Sequence, residues 1–185
     1  TKGNWEITRF HGVDSDKMNL YYSATEEGDM GSINRSLYVQ NLTTNIRTKL
    51  SKNTGTNSTK FSKGLKYYMN IFSTANSAPV FTLHNANGKL LKIIEDNNKF
   101  NKKMEEFNLT KKEFMTIDTE HAKLNTWIMK PPNFDENKKY PLYMYLYGGP
   151  GSQSVVNSFG WTTYYWHQML AQKGYIVACV DNRGT

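Results

Sequence analysis

A chain of 185 residues with 38% hydrophobic and 14% aromatic residues has enough apolar material to bury a core, which excludes wholesale disorder. Its net charge of +7 raises the question of nucleic acid, yet the densest lysine group (Lys99, Lys102, Lys103, Lys111, Lys112) is broken by Glu105 and Glu106. It reads as a solvated linker, and no nucleic-acid partner is expected. No stretch reaches the length of a membrane span, residues 1–20 hold no apolar signal core, and the one cysteine, Cys179, excludes an internal disulfide or a CxxC metal site.

From Trp5 onward the pattern predicts short strands separated by turns, at residues 5–10, 18–24, 36–40 and 46–50. The order then recurs: residues 59–61, the turn Ser62-Lys63-Gly64, then 66–73, 79–84, the turn Asn85-Ala86-Asn87-Gly88, and 89–94. Tyr21-Tyr22 falls over Tyr67-Tyr68 in this overlay. Four strands repeating at such a period is the mark of β-propeller blades, which bury their faces against one another. Residues 1–98 therefore read as two blades of a propeller; two cannot close a ring, so further blades are expected before Thr1. A generic antiparallel sandwich is the competing arrangement.

Residues 99–112 turn polar and rich in Asn and Lys, with Phe100, Met104 and Phe107 at helical spacing, which predicts a short amphipathic linker helix between two domains. Residues 113–119 and 124–129 form a predicted hairpin about Glu120-His121-Ala122-Lys123, closed by Pro131-Pro132. Residues 140–147 are nearly all apolar or aromatic, as expected of a strand covered on both faces. A glycine-rich loop then leads to a helix with a stripe at Trp161, Tyr164, Tyr165, Gln168, Met169 and Ala171, stopped at Lys173-Gly174. Residues 175–180 form a second buried strand. Strand, loop, helix and strand make a βαβ unit within residues 113–185, and ligands bind at the C-terminal ends of such strands.

Both glycine-rich stretches, Gly148-Gly149-Pro150-Gly151 and Asp181-Asn182-Arg183-Gly184, fall at that edge. Neither matches a phosphate-binding signature. The alternative is the turn of an α/β hydrolase that supplies part of an oxyanion hole, where glycine lets the backbone approach a substrate carbonyl. Tyr147 stands beside it, and a neutral phenol can donate to a developing oxyanion. No G-x-S-x-G occurs in the chain; Ser152 and Ser154 follow the glycines but sit in no nucleophile elbow. His11, His84, His121 and His167 read as structural or surface residues, with no metal-ligand spacing and no Ser-His-Asp constellation. No metal and no cofactor is expected. The sequons at Asn34, Asn41, Asn57 and Asn108 need no more than chance in an Asn-rich chain.

Together, Lys139-Tyr140-Pro141, Tyr147-Gly148-Gly149-Pro150-Gly151-Ser152-Gln153, Gly174-Tyr175-Ile176-Val177 and Val180-Asp181-Asn182-Arg183-Gly184 resemble the start of the catalytic domain of the prolyl oligopeptidase family. Pro150 with Ser152-Gln153 is similar to the dipeptidyl peptidase IV branch, as in its bacterial members. The segment 61–68 resembles a last propeller blade of that family. The resemblance implies a mixed fold, the final blades of a propeller followed by the first part of an α/β-hydrolase domain. It implies a serine exopeptidase that releases N-terminal dipeptides with Pro or Ala second, acting on peptides, commonly as a homodimer. By the same resemblance Tyr147 matches the tyrosine of the oxyanion hole, while the serine, aspartate and histidine of the triad are expected beyond Thr185. The chain alone is therefore expected to be inactive. A non-catalytic relative and a tripeptidyl or acylaminoacyl peptidase are the alternatives, and a periplasmic or secreted location is the favoured expectation.

Overall fold

Short alternating runs punctuated by Gly, Asn and Asp turns cannot support helices, and they fold here as two successive antiparallel meanders. The first comprises β1 (Ile7–Asp14), β2 (Asn19–Thr25), β3 (Arg35–Asn41) and β4 (Arg47–Lys49); the second comprises β5 (Thr56–Phe61), β6 (Tyr67–Thr74), β7 (Ser77–Asn85) and β8 (Leu90–Glu95). In this computed structural model, which describes residues 3–185, the meanders meet through a single parallel pair, Arg35 with Thr56, and form one eight-stranded sheet. Tyr22 and Tyr68, which the overlay aligned, are both buried on the second strand of their meander. Tyr21, Leu37, Leu50, Tyr68 and Ala86 pack into one core cluster shared by the meanders. Full burial of side chains of this size contributes about 1.5–3 kcal/mol each.

His11 bridges the strands, its Nε2 lying 2.8 Å from Ser23 Oγ and 2.9 Å from Thr59 Oγ1. His84 stacks on Tyr68 with ring planes 2° apart. Asn34 and Asn57, two of the sequon asparagines, are buried with their amides hydrogen-bonded inside the protein.

The helix α1 (Asn98–Glu105) buries none of its residues. Beyond it lies a second sheet of four strands in the order β11-β12-β10-β9, built from β9 (Glu113–Asp118), β10 (Lys123–Met129), β11 (Leu142–Tyr145) and β12 (Ile176–Val180). β9 and β10 form the expected hairpin. β11 and β12 run parallel and are joined through α2 (Trp161–Gln172). Gly174, at φ +88° just beyond α2, takes the left-handed conformation that ends a helix, its N–H donating to Ala171 O at 3.0 Å.

Two expectations need correction. β11 stops at Tyr145 rather than Tyr147, and its residues are largely exposed rather than covered on both faces. Among the described residues it pairs with β12 alone, and that pairing ends at Tyr145 opposite Cys179. The inner face of α2 also differs: Tyr164, His167, Gln168, Leu170 and Ala171 are buried, whereas Trp161, Tyr165 and Met169 are exposed. The i, i+3, i+4, i+7 spacing from Tyr164 sets that face and carries two polar residues inward with it. Gln168 is satisfied there by the backbone N–H and C=O of Thr110, at 3.0 and 2.7 Å.

The two sheets share a core. Ile33, on the short 3₁₀ turn Gly31–Ile33 between β2 and β3, is 3% exposed and packs with Trp127, Met129, Val155, Leu170, Val177 and Cys179 of the second sheet's layer. Among the described residues no helix is long and apolar enough to cross a membrane.

Candidate functional site

The C-terminal ends of β11 and β12 deliver two loops to one edge, and the geometry of the first depends on the second. Asp181, directly after β12, is buried, and its two carboxylate oxygens accept from the backbone N–H groups of Ser154 at 2.8 Å and Val155 at 2.9 Å. Charge-assisted bonds of this kind are among the stronger ones, and they fix the far end of the glycine loop to the sheet. The first sheet holds the same loop from the other side. Gln153 Nε2 donates to Ser32 O at 3.0 Å, Arg35 donates to Gln153 Oε1, and the Asn157 N–H donates to Ile33 O at 2.9 Å.

Between β11 and those anchors the chain turns at Gly148 (φ +77°) and Gly151 (φ +75°), conformations that other residues adopt only under strain. Tyr147 precedes the turn. The residue is 65% exposed. Gly149 lies beneath the ring, where an added Cβ would come within 2.7 Å of Tyr147 Cε1. Tyr147, the one residue to which the sequence assigned chemistry, lies two residues past the end of β11 rather than on its last position.

Tyr147 also lines a cavity of about 330 Å³ shared with Lys112, Trp127, Tyr145, Ser152 and His167. His167, which reads from sequence as a structural or surface residue, is 1% exposed, and neither of its ring nitrogens has a hydrogen-bond partner. It packs against Trp127 and Tyr145, with ring centroids 5.0 and 5.2 Å away. Burial first, and the neighbouring Lys112 charge second, hold its pKa down to about 4, so the imidazole is neutral at pH 7. Burial likewise lowers Lys112 to about 8, and its Nζ sits 4.3 Å from the Trp127 ring centroid. Cys179, in the core behind them, is pushed up to about 12, chiefly by burial, and is no nucleophile. Ser152 and Ser154 lie near His167 around the cavity, but no serine is hydrogen-bonded to it.

Lys112 and His167 were not expected at this edge, and Asp181 was placed there by its sequence without its role as the anchor of the glycine loop. The helical spacing from Tyr164 carried the signal for His167. An acidic residue ending an apolar strand carried that for Asp181. Lys112 had none, being one lysine in a polar run.

Comparison with known proteins agrees with this architecture. Residues 1–79 match the family model described as the dipeptidyl peptidase IV N-terminal region. The crystal structure of Porphyromonas gingivalis dipeptidyl peptidase 4 superposes on the whole chain with a TM-score of 0.91 at 39% identity, the chain covering 26% of that protein. A probable dipeptidyl-aminopeptidase B of Podospora anserina is 35% identical over 192 residues, and dipeptidyl peptidase 4 of Sus scrofa is 32% identical over 196. The chain spans 20% and 24% of those two proteins' lengths. Matches across its entire length, on both sheets and the loops between them, lead to one conclusion: the chain belongs to the dipeptidyl peptidase IV family.

Proposed function

We propose that this chain is part of a serine-type peptidase that releases N-terminal dipeptides, and that it contributes the tyrosine half of the oxyanion hole. The two meanders are read as the last two propeller blades (residues 1–98), α1 and its flank as a linker (99–112), and the second sheet as the start of an α/β-hydrolase domain (113–185). The strand-helix-strand unit with parallel β11 and β12 supports the hydrolase reading, and the repeated four-strand meander supports the blades. The observation that carries the function is the position of Tyr147, an exposed residue on a loop held by Asp181 and Gln153 at the C-terminal edge of a parallel pair.

In this mechanism a serine hydroxyl, supplied by a segment outside this chain, attacks the carbonyl carbon of the second substrate residue while a histidine base takes its proton. The carbonyl oxygen becomes an oxyanion, and the Tyr147 O–H donates to it as that charge develops. A donor engaged only in the transition state lowers the barrier without tightening ground-state binding. The partner donor in an α/β-hydrolase is the backbone N–H following the nucleophile. A homodimer is the assembly proposed for the whole protein.

The test is hydrolysis of glycyl-prolyl and alanyl-prolyl p-nitroanilides, with fluorophosphonate labelling, by a polypeptide carrying this chain at the full length of its relatives. Dipeptide release blocked by the label is expected, with neither activity nor labelling in the 185-residue chain alone. A full-length protein that neither cleaves nor labels would favour the reading as a non-catalytic binding relative.

A further inference from the structure

The helix α2 begins without a side-chain cap, with Gly160 at its N-cap position. The first N–H groups of a helix have no intrahelical partner and carry the positive end of its dipole. A second positive group stands against this end: Lys112 Nζ lies 3.7 Å from the point a Cβ on Gly160 would occupy. Cations are disfavoured at a helix N-terminus. Among the described residues Lys112 forms no ion pair. Asp181, the acidic group at the end of β12, is already occupied by Ser154 and Val155.

His167 is the second, independent sign. It is fully buried, has no partner for either ring nitrogen, and lines the same cavity as Lys112, Gly160, Thr163 and Ser158. Buried polar atoms in folded proteins are almost always satisfied by protein, water or ligand. A neutral imidazole brings one N–H donor, the helix start brings backbone donors, and the ammonium brings three more. These donors border a space of about 330 Å³ together with the hydroxyls of Ser152, Ser154, Ser158 and Thr163, with room for far more than one water molecule.

We infer that this cavity binds a small oxyanion, phosphate-like or carboxylate, held between the Lys112 ammonium, the N-terminus of α2 and a ring N–H of His167. The inference does not depend on peptidase activity, because the ligand is detected at His167 and not by turnover. It has a consequence for the proposed active site, since Tyr147 lines the same cavity and a bound anion would lie beside it. Anion binding also favours the charged forms of the two groups whose pKa values burial now depresses.

The test follows the imidazole resonances of the full chain by NMR at pH 7 while inorganic phosphate, and separately acetate, is added. The His167 signal is assigned by its loss in His167→Gln. A saturable His167 shift with half-saturation at roughly millimolar anion is expected, weakened at least about tenfold in Lys112→Met, while His11 and His84 stay unmoved and report that the fold is intact. A response to phosphate alone assigns a tetrahedral oxyanion, and a response to acetate alone assigns a carboxylate. No saturable shift with either anion, or one equally strong in Lys112→Met, overturns the inference.

Discussion

A Cβ placed on Gly149 would stand 2.7 Å from Cε1 of Tyr147, so the absence of a side chain at 149 is what allows the tyrosine ring its present position. The Gly149 backbone itself lies outside the left-handed region, and alanine fits it without backbone strain. The contact falls on an exposed, rotatable ring, and the ring is the part that gives way.

Gly149→Ala is therefore expected to leave stability within about 0.5 kcal/mol of the parent while displacing the Tyr147 hydroxyl. In a full-length protein kcat should fall by at least about tenfold with KM little changed, since a misplacement of about 1 Å can cost 10²-fold. Thermal denaturation and steady-state kinetics, measured on one preparation, separate the two effects. A large loss of melting temperature would mean that the contact is structural.

Replacing Asp181 by Asn keeps the shape but sets an amide against two N–H donors. One of Ser154 and Val155 then faces another donor in a buried site, a loss of about 1–3 kcal/mol. Chemical denaturation should show this as a lowered midpoint at unchanged slope. Limited proteolysis should show new cutting between Gly148 and Gln153, because that loop loses its anchor.

Ile33 fixes one sheet to the other through the core that it shares with Val155 and Trp127. Ile33→Ala should destabilise the chain by about 2–5 kcal/mol, the usual range for a buried aliphatic truncation. Hydrogen exchange should rise on both the 31–35 turn and the 153–157 loop, because the backbone bond from Asn157 to Ile33 closes over that side chain. Faster exchange in the first sheet alone would contradict a shared core.

The pH dependence follows from His167. Its unfolded imidazole takes a proton near the ordinary 6.5, whereas the folded one does so only near about 4. Between these values the unfolded state binds more protons, so stability is present above about 6.5 and is lost as pH falls towards 4. Lys112, Tyr143, Tyr145 and Trp127 face the ring, and among the described residues no carboxylate forms an ion pair with it. His11, also lowered by burial and then by Arg9, acts in the same direction. The His167 share is accordingly the difference between the parent and His167→Gln, whose melting temperature should fall less steeply from pH 7 to pH 4.

The meanders were legible because strand signals are local: alternation, Asn-Gly-type turns and the Tyr pairs at 21–22 and 67–68 each act within a few residues. The hairpin at 113–129 and the parallel strands about α2 were readable for the same reason. What failed was anything set by distant packing. Leu142 and Met144 look like a covered strand, but among the described residues β11 pairs with β12 alone and they are exposed. Counting apolar residues along α2 favoured Trp161 and Met169 over His167, although the spacing from Tyr164 points inward to the histidine. Ile33 carried no local sign of its role, since its partners at 127–179 come together only in the folded chain. For the site, Tyr147 was recognisable beside its glycines, whereas Asp181 and Lys112 gain meaning only from the hydrogen bonds and the cavity around them.

The central claim is that the Tyr147 hydroxyl serves the transition state. Its most direct test is Tyr147→Phe in the full-length protein, with kcat and KM measured on a prolyl p-nitroanilide. A fall in kcat of about 10²–10³ with KM nearly unchanged is expected. Turnover close to that of the parent would contradict it.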